Sequence, residues 1–130
     1  MPVTWNIDGS ILLVTLLGTC GDEVTTALNA AMADSAFKRG MSLLLDVRRC
    51  THDPTSDDFR QWAISLAARR AKGLSARCAV VIGPRAYDYG VARMGAAYLD
   101  NKGIHMGIFT SLDEAIRWLE PNATAGPVTE

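Results

Sequence analysis

The sequence of 130 residues predicts one α/β domain, with a mixed five-stranded sheet and about four helices. Three observations carry this. The apolar period switches repeatedly between two and about three and a half residues. An Asp8-Gly9 step separates two apolar runs near the start, which marks a tight antiparallel hairpin. After the hairpin, apolar runs alternate with amphipathic stretches, the pattern of βα units that build a parallel sheet through right-handed crossovers. The domain is expected over residues 1–120, with 121–130 as a loose tail.

Val3, Trp5 and Ile7 alternate with polar residues, as one half-buried strand requires. The run Ile11 to Leu17 is apolar at both phases, so it belongs inside the sheet. From Asp22 the helical period takes over, with Val24, Ala27, Leu28, Ala31 and Met32 on one stripe and Gly40 as the stop. Met41 to Val47 reads as a buried strand, and Arg48 to Ser56 as a polar loop broken by Pro54. A helix starts near Ser56 and turns Phe59, Trp62, Ala63, Leu66 and Ala67 inward, ending at Gly73. Cys78 to Ile82 is the next strand, turned by Gly83-Pro84. The helix from Ala86 to Asn101 carries Val91, Met94, Tyr98 and Leu99 on its inner stripe. Ile104 to Phe109 is the last strand. Ser111 and Glu114 form a capping box for a final helix that buries Leu112, Ala115, Ile116 and Leu119 and stops at Pro121.

Composition narrows the function classes. An apolar fraction of 48%, a charged fraction of 21% and a net charge of −1 describe an ordinary globular chain and exclude a generally basic nucleic-acid binder. The three cysteines, Cys20, Cys50 and Cys78, are odd in number and widely spaced, which implies no disulfide framework and points to a reducing cytoplasm. The run Ile11 to Leu17 is far shorter than the ~20 apolar residues a bilayer demands, so no integral membrane association is expected. Nor does the stretch before it carry the basic residues of a secretory signal. Charge is unevenly placed: from Arg48 to Arg93 there are nine basic and four acidic residues. Arg69, Arg70 and Lys72 read as complements to a helix C-terminus.

Three stretches also resemble a known family. They are Leu43-Leu44-Leu45-Asp46-Val47-Arg48, Tyr89-Gly90-Val91-Ala92-Arg93-Met94, and the closing segment from Ile108 through Ser111-Leu112-Asp113-Glu114-Ala115-Ile116-Arg117-Trp118 to Leu119. Together with the order of elements from Val3 to Leu119, they make the chain similar to the SpoIIAA-like proteins, bacterial relatives of the STAS domain of anti-sigma-factor antagonists. The resemblance implies a non-enzymatic, regulatory role through a protein partner. Regulatory STAS domains carry an Asp-Ser-Ser-Gly-like motif where a kinase phosphorylates serine. Here the matching loop reads Asp53-Pro54-Thr55-Ser56-Asp57-Asp58, which lacks that motif, and Ser56 serves better as a helix cap than as a phosphorylation site. The family also resembles the CRAL-TRIO lipid carriers in architecture. That implies an alternative role as carrier or sensor of a small amphipathic anion such as a lipid.

Ligands of parallel sheets sit beyond the carboxyl ends of the strands. Arg48 follows one strand, Arg85, Tyr87 and Tyr89 follow another, and Arg93 lies one helical turn beyond Tyr89. These five residues are the candidate ligand-binding set, as an arginine cluster with aromatic faces that holds a phosphate or carboxylate. Cys50 and His52 share a loop and define a third, hydrolase reading, but nothing beside them supplies an oxyanion site. The histidines and cysteines show no metal-ligand spacing, and no cofactor is expected. Ile11 to Leu17, Trp5 and Trp118 exceed what four helices need to cover, which leads to the expectation of a homodimer through the sheet or a helix face.

Overall fold

The computed structural model describes residues 3–17, 23–49, 56–70, 72–83 and 86–120. Within these, five strands and four helices alternate as expected: β1 (Val3–Asp8), β2 (Ile11–Leu17), α1 (Glu23–Ala33), β3 (Ser42–Arg49), α2 (Ser56–Arg70), β4 (Arg77–Val81), α3 (Ala86–Asp100), β5 (His105–Phe109) and α4 (Leu112–Leu119). The sheet runs β1-β2-β3-β4-β5, so neighbours in the sheet are neighbours in the chain. The β1–β2 pair is antiparallel, and the pairs β2–β3, β3–β4 and β4–β5 are parallel.

This order decides where the helices go. Crossovers of one hand, all stepping the same way across the sheet, must put their helices on the same face. Accordingly Val24, Leu28, Trp62, Leu66, Ala92 and Leu99 from α1, α2 and α3 pack on Leu12, Val14, Leu43, Leu45, Cys78, Val80 and Ile82. The alternate residues of the strands face the other way. There Ile11, Leu44, Ala79 and Val81 meet Ala115 and Leu119 of α4, with Leu13, Phe109, Leu112, Ile116 and Trp118 around them. The period of two is thus satisfied on both faces, which is why β2, β3 and β4 read as continuous apolar runs.

Local chemistry refines the boundaries. The hairpin pairs Asp8 with Ile11, which makes Gly9 and Ser10 the two turn residues. Gly9 has φ +61 and no described non-glycine residue, Ser10 included, has positive φ, so the turn takes positive φ only at its first position, as type II′ does. Helix α1 stops at Ala33, well before Gly40. Asp34 Oδ1 accepts the backbone N–H of Ala36 at 2.8 Å, a local turn that competes with further helix. The serine half of the expected capping box is formed: Ser111 Oγ accepts the N–H of Glu114 at 3.4 Å. The inner stripe of α3 holds at Leu99 and Tyr98 but not at Met94. Met94 is 59% exposed, while Ala92 and Leu99 are fully buried. Small residues at the contact let α3 lie close to its neighbours, and Met94 falls on the outer side. The side chains of Phe59 and Val91 and the tail 121–130 lie outside the described residues.

No helix among the described residues is long and apolar enough to cross a membrane. The apolar surplus that argued for a homodimer is absorbed within the chain: Leu12, Val14 and Leu16 are buried, and Trp5 and Trp118 pack against the two cores.

Candidate functional site

The carboxyl edge of the parallel strands holds one conspicuous charge pair. Asp46, on the α4 face of β3, is only 4% exposed. Its Oδ1 accepts Arg48 Nε at 3.0 Å, and its Oδ2 accepts Arg48 Nη2 at 2.8 Å. The backbone N–H of Arg48 donates to the same carboxylate at 3.1 Å. Between Thr15 and Leu17 the register of β2 on β3 slips, so β3 carries one extra residue there. Such a bulge re-aims a side chain, and here it accompanies the return of Arg48 onto Asp46. The hydrogen bond to Asp46 raises the Arg48 pKa above the ordinary guanidinium value; burial opposes this, and the carboxylate charge adds to it. Arg48 is therefore already engaged by a carboxylate.

Of the other expected ligand-binding residues, Arg93 lies apart from Arg48. Arg93 is exposed on α3, in the layer that covers the opposite face of the sheet from Asp46 and Arg48. The sheet stands between the two arginines. Tyr87 and Tyr89 lie in the first turns of α3, but their side chains are outside the described residues, as is Arg85. Ser56 opens α2, again with its side chain outside them, and Cys50 and His52 lie outside them altogether.

The remaining nucleophile and imidazole are accounted for by packing. Cys78 is buried in β4, where desolvation pushes its thiol up to about 12. A thiol held so far from ionisation is a core residue rather than a nucleophile. His105 starts β5 with its ring 5.5 Å from that of Trp118. Arg77 lies 4.1 Å over the same Trp118 ring and donates to the Trp118 carbonyl at 2.9 Å, which pins the end of α4 to the sheet. Arg69, expected only to complement its own helix end, does more. It donates to the Ser65 carbonyl and reaches Asn29 Oδ1 on α1 at 2.6 Å, tying two helices together. Among the described residues, no three His, Cys, Asp or Glu side chains are grouped to hold a metal.

What the sequence reading missed is a groove between α2 and α3. It encloses about 340 Å3 and is lined by Asp57, Arg60, Met94, Gly95 and Tyr98. Lys102 sits 5.6 Å over the ring of Tyr98. Ile64, one turn beyond Arg60 on α2, is 38% exposed; with Met94 it completes the exposed large apolar side chains among the described residues. By contrast, the space between the sheet and helices α1 and α2 is nearly filled. A cavity of about 20 Å3 remains there, walled by Val24, Leu28, Leu45, Trp62, Leu66 and Met106. The arrangement offers an apolar recess with an acid and a base at its rim, which suits binding.

The chain matches no known family model, no curated protein and no solved structure. Its chemistry must be read from its own residues.

Proposed function

We propose that the protein is a non-enzymatic binding module that acts through a protein partner, and that the outer face of α2 and α3 is where the partner docks. The observation that carries this reading is Met94, a large apolar side chain 59% exposed on a helix whose other face is buried. Exposed apolar surface with a polar rim is the usual anatomy of an interaction site. Met is also the side chain best able to adapt to a partner's contour. This extends what the resemblance to SpoIIAA-like proteins implies. It does not require phosphorylation of Ser56.

The test is site-directed photocrosslinking in cells. Met94 is replaced by a photoreactive amino acid, with Thr4 replaced in the same way as a control, since Thr4 is exposed on β1, away from the groove. A polypeptide adduct from position 94 and none from position 4 is expected. If position 94 yields no adduct, the face is not a docking site.

A second reading, a carrier of a small amphipathic anion, is favoured by the size of the same groove. Its volume of about 340 Å3 is within the range of small-molecule pockets, and Arg60 and Lys102 flank it with positive charge. The interior cavity of about 20 Å3 is too small for such a ligand. Native mass spectrometry of the protein as isolated distinguishes the readings: a bound fatty acid or phospholipid selects the carrier.

A further inference from the structure

The α2–α3 face has a property that narrows its partner. Asp57 and Arg60 are three residues apart on α2, both exposed and both lining the groove. At that spacing they face the same side of the helix and could pair, yet among the described residues the ion pair present is Arg48 with Asp46. Among the described residues, the α2 wall of the groove thus carries one acid and one base, each open to an outside partner, beside the exposed Ile64 and Met94, with Lys102 over the Tyr98 ring on the α3 side.

In a two-fold interface the same patch appears on both sides, so residue i meets j while j meets i. A patch of one sign would repel itself. A patch with one acid and one base beside an apolar recess is complementary to itself. Resting on the reading of this face as a protein-docking surface, we propose that the partner is a second copy of this chain. Arg60 of each copy faces the partner subunit's Asp57, and Met94 enters the apolar recess opposite. The outward position of Met94 and the open charges on Asp57 and Arg60 then have one cause. The homodimer expected from the sequence is placed on different residues from those that first argued for it.

The self-complementarity supplies a discriminating experiment on the full chain. Asp57→Arg makes the α2 wall of the groove basic at both positions, and Arg60→Glu makes it acidic at both. Each variant alone repels itself, and the two attract each other. At about 100 μM, a hundredfold above a micromolar Kd, the native chain is expected to sediment at twice the monomer mass. Each variant should sediment as a monomer, and an equimolar mixture should regain the dimer, with native mass spectrometry showing one copy of each. Unchanged circular dichroism and a cooperative thermal transition establish that the variants fold; their melting temperature should lie below that of the native chain by the stability that association supplies. A dimer that survives either substitution, or variants that fail to recombine, overturns the proposal. A monomeric native chain overturns it too. If position 94 then still crosslinks a different polypeptide, the docking face stands and only its occupant is wrong; if it crosslinks nothing, both readings fall.

Discussion

Removing Arg48 tests the charge pair at the end of β3. In Arg48→Ala the Asp46 carboxylate, 4% exposed, loses two of its three hydrogen bonds and keeps the backbone N–H at 3.1 Å. Breaking a fully buried pair costs about 3–5 kcal/mol, and an exposed one about 0–1. The Arg48 side chain is 36% exposed, so water already shares in its solvation, and the loss should be about 2–3 kcal/mol. At roughly 4 °C per kcal/mol for a chain of this length, the melting temperature should fall by about 8–12 °C. Thermal and urea denaturation followed by circular dichroism read this directly. Adding Asp46→Asn to Arg48→Ala removes the stranded charge and should restore about half of the loss. The sign of the pH dependence follows from the raised Arg48 pKa. The folded state holds the guanidinium proton more tightly than the unfolded chain. The contribution is therefore complete below the ordinary value and is lost only as pH climbs through the raised one. The deficit should stay flat between about pH 6 and 9. A loss below about 1 kcal/mol, or a double variant no more stable than Arg48→Ala, refutes the assignment of a buried carboxylate that depends on Arg48.

Other substitutions probe single features. The Cys78 thiol, pushed from 9.0 to about 12 by burial, keeps its proton where the unfolded chain releases it. Stability should fall as pH rises above about 9, by up to ~1.4 kcal/mol per pH unit, and Cys78→Ala should remove that part of the slope in urea titrations. A Cβ at Gly107 would approach the Phe109 ring to 2.7 Å and Trp118 to 3.1 Å. Gly107→Ala should therefore cost about 1–3 kcal/mol and shift the tryptophan emission. At Gly90, in helix α3, the same atom meets nothing within 4 Å; Gly90→Ala should stabilise by about 0.5–1 kcal/mol in the same melts. Ser111→Ala removes the 3.4 Å cap bond of α4 and should cost about 0.5–1 kcal/mol.

Much of the fold was legible because each strand carries its apolar residues at the phase the sheet needs, and each helix carries a stripe. The deviations have local causes. Asp8-Gly9 announced the hairpin, but Gly9 takes the first turn position and Ser10 the second, so the turn sits one residue later. Asp34 ended α1 early through a side-chain turn that apolar periodicity does not register. Met94 was placed inside because hydrophobicity ranks it above Ala92, whereas close helix packing selects the smaller residue. The candidate site was less legible. Asp46 and Arg48 are two apart in a strand, so their pairing could have been read from the period alone. The groove could not, since Arg60 and Tyr98 meet only through the relative placement of α2 and α3. Nothing in either helix taken singly encodes that placement.

The sequential order of the strands also governs how the chain comes together during synthesis. Each new strand joins the one made just before it, so most pairings close short loops, which favours fast, stepwise assembly from the N-terminus. Helices α1, α2 and α3 arrive in step with the strands that they cover. The exception is α4, the last of the described elements, whose Ala115 and Leu119 cover Leu44, Ala79 and Val81. A ribosome-bound chain therefore exposes this apolar sheet face until α4 emerges. Exposed apolar surface of that kind is what makes partly made chains prone to aggregate, and the docking of α4 covers it.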